Sequence, residues 1–302
     1  MNTEKFHVLL KTVERGSITA AAEELHFTPS GVSRTIESLE KDLSLSLLLR
    51  SRTGVSKTAV CEELLPFMKQ IINDERLLQE EAAKLTGLLK GTVRIGVAYA
   101  AFYPWLAKEI AAFQSKWPGV RFELRDGFSS ALYHDVEGGT IDLALVSRRE
   151  GSAGWFTLLQ DELVALLPLS YPLSDTHRVP LSLFEKENYI DVYPGEESDN
   201  ERVFRANGIV PKRGPATRDA DAMLAMVEAG LGIGMNNQLN IRRTQGKILT
   251  LPLDPPQIVE IGIAFSASLP PAAETFYRRL QAAISDFRSS VFEEHNIRSS
   301  EI

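Results

Sequence analysis

Cysteine occurs once in these 302 residues, at Cys61. That excludes an internal disulfide and any cysteine-rich metal site. Histidine is almost as scarce. His7, His26, His134, His177 and His295 stand apart without ligand spacing, so no metal site is expected. No apolar run reaches the roughly 18 residues needed to span a bilayer, which argues against a membrane partner. The opening stretch MNTEKFHVLLKTVERG carries acidic residues and no small-residue cleavage site, so a cytoplasmic protein is expected. Positive charge is in deficit too: 33 Lys and Arg against 40 Asp and Glu leave a net charge of -7. On average that argues against a nucleic-acid partner. Phosphate contacts, however, depend on where the cations sit, and the first sixty residues are close to neutral, with the acidic excess further on. No serine–histidine–acid or paired-carboxylate arrangement can be located from spacing, so no catalytic residue is assigned and the chain reads as a non-enzyme.

What is present is enough for more than one core. The chain is too long for a single ordinary domain, and its 44% hydrophobic and 24% charged residues are near globular averages. Three regions separate by pattern. Residues 1–60 hold short helical segments divided by turn signals, 61–90 one long helical pattern, and 91–290 apolar β runs alternating with amphipathic helices; 291–302 looks like a frayed tail. The alternating region predicts an α/β domain with a largely parallel sheet.

In the first region Phe6, Leu9, Leu10 and Val13 make a helix that ends at Gly16. Ser17 can cap the next, whose Ala20, Ala21 and Ala22 allow close approach of another helix. A third opens with Thr28 as N-cap and Pro29 at its first position, with Val32, Ile36, Leu39 and Leu43 as the inward stripe. Two helices joined by a tight turn describe a helix-turn-helix. The outward residues Pro29, Ser30, Ser33 and Arg34 are a poor choice for stability alone, since alanine, glutamate or lysine lose less conformational freedom on a helix surface. In a DNA-reading helix they make sense. Small residues let the helix seat deeply, Arg34 can offer a bidentate fork to guanine, and Ser30 and Ser33 can donate to bases or phosphates. The competing reading is a capped solvent-facing helix with an ordinary surface arginine. The adjoining LLLRSRTGVSKTAV reads as two short strands around a glycine turn, a wing that would lay Arg50, Arg52 and Lys57 against the sugar-phosphate backbone.

The long helical pattern repeats at about 3.5 residues through Leu64, Met68, Ile71, Glu75, Leu78, Ala82, Leu85 and Leu89, a seam for a partner helix. The alternative is a single amphipathic helix lying on its own domain.

Phe6, Gly16-Ser17, Ala21-Ala22, Leu25, TPSGVSRTIESLE and LLLR together resemble, without gaps, the winged helix-turn-helix of LysR-type transcriptional regulators, and the seam helix resembles their dimerising linker. The family often has phenylalanine where Leu49 stands and glycine where Cys61 stands. The resemblance implies a sequence-specific regulator, a homodimer or homotetramer, that binds double-stranded promoter DNA in response to a small-molecule effector. Its symmetry implies an inverted-repeat target.

For the C-terminal region the resemblance implies a two-lobed domain similar to periplasmic binding proteins. Lobe I would span 92–162 and 266–290 and lobe II 163–265, with DELVALLP and VEIGIAFS as crossings. Ligand contacts are expected at loops after strands, in the cleft where helix N–H groups point. These are Tyr99, Ala100 and Ala101, then Ser129 and Ser130, then Ser147 and Arg148, and from lobe II Tyr193, Ser198, Arg218 and Asn236. Arginines there suit a carboxylate, although Glu196, Glu197 and Asp199 lie close by in the chain. The glycine ladder EAGLGIGM invites a dinucleotide-loop reading, but an amphipathic pattern precedes it and an apolar run follows, the reverse of that motif. Gly230 reads better as a helix cap and Gly232 and Gly234 as close-approach strand positions, so no cofactor is expected. Two rival functions are a binding protein of periplasmic type without a DNA-binding role and an α/β enzyme with a helical extension.

Overall fold

The computed structural model describes residues 2–51, 54–85, 89–172, 177–241, 247–285 and 287. Arg52 and the segment 291–302 lie outside the described residues.

Helix α1 (Thr3–Arg15) begins where the Asn2 side chain accepts from the Glu4 N–H and stops at Gly16, whose φ of 60° is left-handed. Helix α2 (Ile18–Leu25) starts almost at once because Ser17 Oγ accepts from the Ala20 N–H. Helix α3 (Pro29–Leu43) follows the cap that Thr28 makes to the Gly31 N–H at 3.0 Å. Their inner faces close one core around Phe6, Leu9, Ala22, Val32, Ile36 and Leu39. Strands β1 (Leu48–Ser51) and β2 (Gly54–Lys57) form an antiparallel hairpin, the wing. Its base enters the same core through Leu47 and Leu48, and its far strand is pinned where the Val55 N–H donates to Gly16 O at 2.8 Å. Thr58 caps helix α4 (Ala59–Leu85), accepting from the Cys61 N–H at 3.0 Å. Cys61 itself is buried, and burial pushes its thiol up, so it is a packing residue.

The α4 seam departs from its expected register. Leu64 and Met68 pack into the core of their own domain. Apart from Val60 (38%) in the first turn, the large apolar residues left exposed on α4 are Phe67 (67%), Ile71 (40%), Leu78 (71%) and Leu85 (87%), a stripe displaced by one position at its start. The first two turns have to cover the helix-turn-helix, so the stripe open to a partner begins only beyond them.

The chain divides into two compact units, one carrying α1 to α4 with the wing and Gly138–Thr140, the other the rest of the chain from Lys90 onward. The second unit opens with β3 (Gly91–Val97), helix α5 (Tyr103–Lys116), β4 (Val120–Asp126), helix α6 (Ser129–Glu137) and β5 (Leu143–Ser147). These three strands pair in parallel, as helical crossovers require. Strand β6 (Gly154–Pro168) then crosses to the second lobe, built from β7 (Val179–Pro180), α7 (Leu183–Lys186), β8 (Tyr189–Val192), α8 (Asp199–Ala206), β9 (Arg213–Thr217), α9 (Ala220–Glu228) and β10 (Gly234–Asn237). Strand β11 (Ile248–Phe265) returns, and α10 (Pro271–Ala282) finishes the first lobe.

The main sheet runs β10-β6-β11-β5-β3-β4. It is mixed rather than largely parallel, because β11 runs antiparallel to β5 and β6, and β6 antiparallel to β10. A strand that leaves a lobe and one that comes back must point in opposite directions. Ile261–Phe265, assigned to lobe II from sequence, pair with β5 of lobe I. The apolar run in β6 is buried on both faces: Leu163, Ala165 and Leu167 meet Phe184, Tyr189 and Phe204, while Val164 and Leu166 meet Met223 and Val227. The glycine ladder follows α9 and leads into β10, the reverse of the strand-to-helix order of a dinucleotide loop. Gly230 (φ 75°) closes α9 by donating to Val227 O at 2.9 Å, and a Cβ on Gly232 would stand 2.3 Å from Asn188 O.

Candidate functional site

The first candidate surface is the start of α3. Burial of Val32, Ile36 and Leu39 fixes the helix's rotation and turns Thr28, Pro29, Ser30 and Arg34 to solvent. Thr28 is occupied in the cap and lies 3.2 Å from Ser30 Oγ. Arg34 makes no hydrogen bond or ion pair among the described residues, so its whole donor fork is available. Ser33, half-buried, donates to Glu37 at 2.9 Å and accepts from Arg50 Nη1 at 2.8 Å. Arg50 also pairs with Glu37 at 3.2 Å, and Lys57 with Glu62 at 2.6 Å. Arg50 and Lys57 are thus on exposed carboxylates, pairs worth about 0–1 kcal/mol and readily exchanged for phosphate. Sequence reading missed Glu40. Its Oε1 accepts from the N–H groups of Leu47 and Leu48 at 2.7 and 3.2 Å, fixing the wing to α3. The only signal was an acid beside an inward leucine.

The second is a cavity of about 100 Å³ between the lobes of the C-terminal unit. Tyr99, Phe128 and Ser129 line it from lobe I, and Tyr193, Ser198, Asp199 and Asn236 from lobe II. Tyr99 projects from the end of β3 and Ser129 opens α6, while Tyr193 is held at a φ of 64° after β8. Other expected contacts go elsewhere. Ala100 and Ala101 sit in a short 3-10 turn outside the lining. Ser130 donates to Glu197 O at 2.6 Å, bridging the lobes. Arg148 faces a separate depression, pairs with Glu260 at 3.2 Å and lies over the Trp155 ring. Arg218 pairs with Glu196, away from the cavity. Neither arginine is therefore placed to meet a ligand carboxylate in this cavity.

The group that dominates the cleft is Asp199, the first residue of α8. Its carboxylate accepts from Tyr99 OH at 2.8 Å, Ser147 Oγ at 2.6 Å and Arg149 Nη2 at 2.9 Å, three donors from the opposite lobe. Both partners of the Arg149–Asp199 pair are almost fully buried, with side chains 7% and 10% exposed. Ser129 Oγ receives the Ser147 N–H at 3.0 Å and completes the cluster. Burial, and next the neighbouring Asp199 charge, push the Tyr99 hydroxyl well above its ordinary value, so it stays a donor. Sequence noticed Asp199 only as a neighbour and passed over Arg149, since adjacent arginines cannot be told apart without the strand's orientation.

A capped helix with an open arginine, a basic hairpin beside it and a two-lobed domain with a polar cleft define a DNA-binding regulator that carries a ligand-binding module. Residues 3–62 match the model of the bacterial regulatory helix-turn-helix protein, lysR family, and residues 86–285 that of the LysR substrate binding domain. The chain belongs to the LysR family of transcriptional regulators. Among its relatives is an HTH-type transcriptional regulator of Bacillus subtilis, YoaU, 28% identical over 94% of this chain and 99% of the other. The transcriptional dual regulator GltC of the same organism is 26% identical, over 92% and 95%. Among solved structures, full-length OxyR from Pseudomonas aeruginosa aligns with a TM-score of 0.65 at 18% identity, over 95% of both chains. Full-length CbnR complexed with its target DNA aligns at 0.59 and 20% identity, over 94% of this chain and all of the other. At such identities these structures share the fold. No described helix is long and apolar enough to cross a membrane.

Proposed function

We propose that this chain is a cytoplasmic regulator acting by binding rather than turnover, with α3 as the element that reads DNA. The observation that carries the reading is the orientation of α3: its apolar stripe is spent in the core, so Ser30 and Arg34 are left to meet base edges. Ser33, once released from Glu37, adds a donor, while Arg50, Arg52 and Lys57 take phosphates. The Phe67, Ile71, Leu78 and Leu85 stripe of α4 pairs two chains. A two-fold dimer presents two copies of α3, so the target is an inverted repeat with half-sites on one face of the duplex. A small molecule in the cavity lined by Tyr99, Ser129, Tyr193 and Asn236 shifts the balance between lobe arrangements, and with it the spacing of the DNA-binding heads. Footprinting on the DNA upstream of the chain's own gene tests this. Two protected patches about one helical turn apart, weakening as salt rises, are expected; no protection at any salt would leave a ligand-binding protein without a DNA role.

A further inference from the structure

Phe27 is 43% exposed in the turn between α2 and α3, beside the surface proposed to read DNA. Its backbone has a structural task. The His26 N–H donates to Glu23 O at 3.3 Å and the Phe27 N–H to Ala22 O at 2.9 Å, the paired bonds that close a helix through a left-handed residue, here His26 at a φ of 57°. An apolar residue at such a turn, just before the N-cap of the next helix, ordinarily packs down on the helices it joins. A valine or leucine would fill that role. Phe27 does not join the apolar set that closes the domain core, and among the described residues no ring or cation stacks on it.

The ring stands instead beside Gly31. Phe27 and Gly31 are one turn apart, and Phe27 Cδ1 is 3.9 Å from where a Cβ on Gly31 would stand. The same Cβ would be 3.1 Å from Thr28 Oγ1, the oxygen that caps α3. With glycine there, the space is left as a shallow recess, floored by helix backbone and walled on one side by an aromatic edge. Arg34 lies three residues on, the next position along the same side of the helix, with its guanidinium open. A hollow edged with carbon, set among donors that face base edges, suits the one methyl group in the major groove, that on C5 of thymine.

We propose that Phe27 and Gly31 form a contact for a thymine methyl, so that the chain specifies thymine in each half-site one or two base pairs from the base that Arg34 reads. The spacing follows from the helix, since a turn of α3 advances about 5.4 Å and successive bases on a strand are about 3.4 Å apart. The proposal rests on α3 lying in the major groove.

The test uses the full chain and the duplex it selects from a random pool, with each thymine replaced in turn by deoxyuridine, which deletes only the C5-methyl. Kd is read by fluorescence anisotropy at one salt concentration for the native protein, Phe27→Ala, Phe27→Gln and Arg34→Ala. Phe27→Gln keeps the stem that packs in the turn and changes the tip. The native protein should lose about fourfold at one thymine of each half-site, the worth of one buried methyl-sized group. Both Phe27 variants should bind the thymine and deoxyuridine duplexes at that position alike and keep the preference set by Arg34. A variant that binds both duplexes more weakly but retains the native penalty would make Phe27 a packing residue and overturn the proposal. So would a native protein indifferent to every replacement. An intact Arg34 preference beside a missing thymine effect would sink this contact alone, whereas an Arg34→Ala variant with unchanged preference would take α3 out of the groove and the proposal with it.

Discussion

Replacing Glu40 by alanine is the sharpest test of how the DNA-reading unit is held together. The Glu40 carboxylate takes the backbone N–H groups of Leu47 and Leu48, at 2.7 and 3.2 Å, and both leucine side chains are buried. Hydrogen bonds to a charged group contribute about 1.5–3 kcal/mol each, and a buried N–H left without a partner costs a similar amount. The longer bond is the weaker, and water can reach the wing once it loosens. About 2–4 kcal/mol is therefore expected for the pair, a large part of a domain's stability of about 5–15 kcal/mol. The loss is local to the wing base, so native-state hydrogen exchange reads it best. The Leu47 and Leu48 amides should exchange on the order of thirtyfold or more faster in Glu40→Ala, with α1 amides changed less. Glu40→Gln, which keeps a neutral acceptor, should lose about half as much. Exchange at both leucines within twofold of the native protein would show that the carboxylate does not hold the wing.

Gly54 has a φ of 138°, and a Cβ there would stand 2.5 Å from Gly16 O. Gly54→Ala should push the hairpin off the α1–α2 turn and weaken DNA binding on every sequence alike, measured by fluorescence anisotropy on specific and random duplexes. Leu78, 71% exposed on α4, should become dimer-breaking as aspartate; sedimentation showing the native assembly would remove the α4 stripe as the interface. Arg15, and then Lys11, hold the Glu24 carboxyl down to about 2, below its ordinary 4.5. Its folded form is depressed, so its contribution is present above pH 4.5 and is lost as pH falls towards 2. Glu24→Gln should flatten the melting temperature over that range, and an unchanged acid slope would contradict the assignment.

Much of the architecture was legible because it is local. Ser17 and Thr28 cap by hydrogen bonds within three residues, and Gly16 ends α1 through its own φ. The β3, α5, β4, α6 and β5 series was legible because each unit carries its own period. What escaped depends on distant partners. Leu64 and Met68 fit the seam's period but are claimed by the core, which periodicity cannot see. Sheet direction is set by where β11 returns, beyond any local window. In the cleft, Tyr99, Ser129, Tyr193, Ser198 and Asn236 line the cavity, whereas Arg148 and Arg218 are taken by Glu260 and Glu196. Asp199 meets Tyr99 across a hundred residues of chain, and only the folded lobes bring the donor set together.

The central claim is that α3 reads bases through the open guanidinium of Arg34. The direct measurement is selection of bound duplexes from a random pool by the native protein and by Arg34→Ala, at one fixed salt concentration. The account predicts that the variant loses its preference at one position of each half-site, by about tenfold or more, and binds random duplex as before. An equal loss on every duplex would make Arg34 a phosphate contact, and an unchanged preference would take α3 out of the groove.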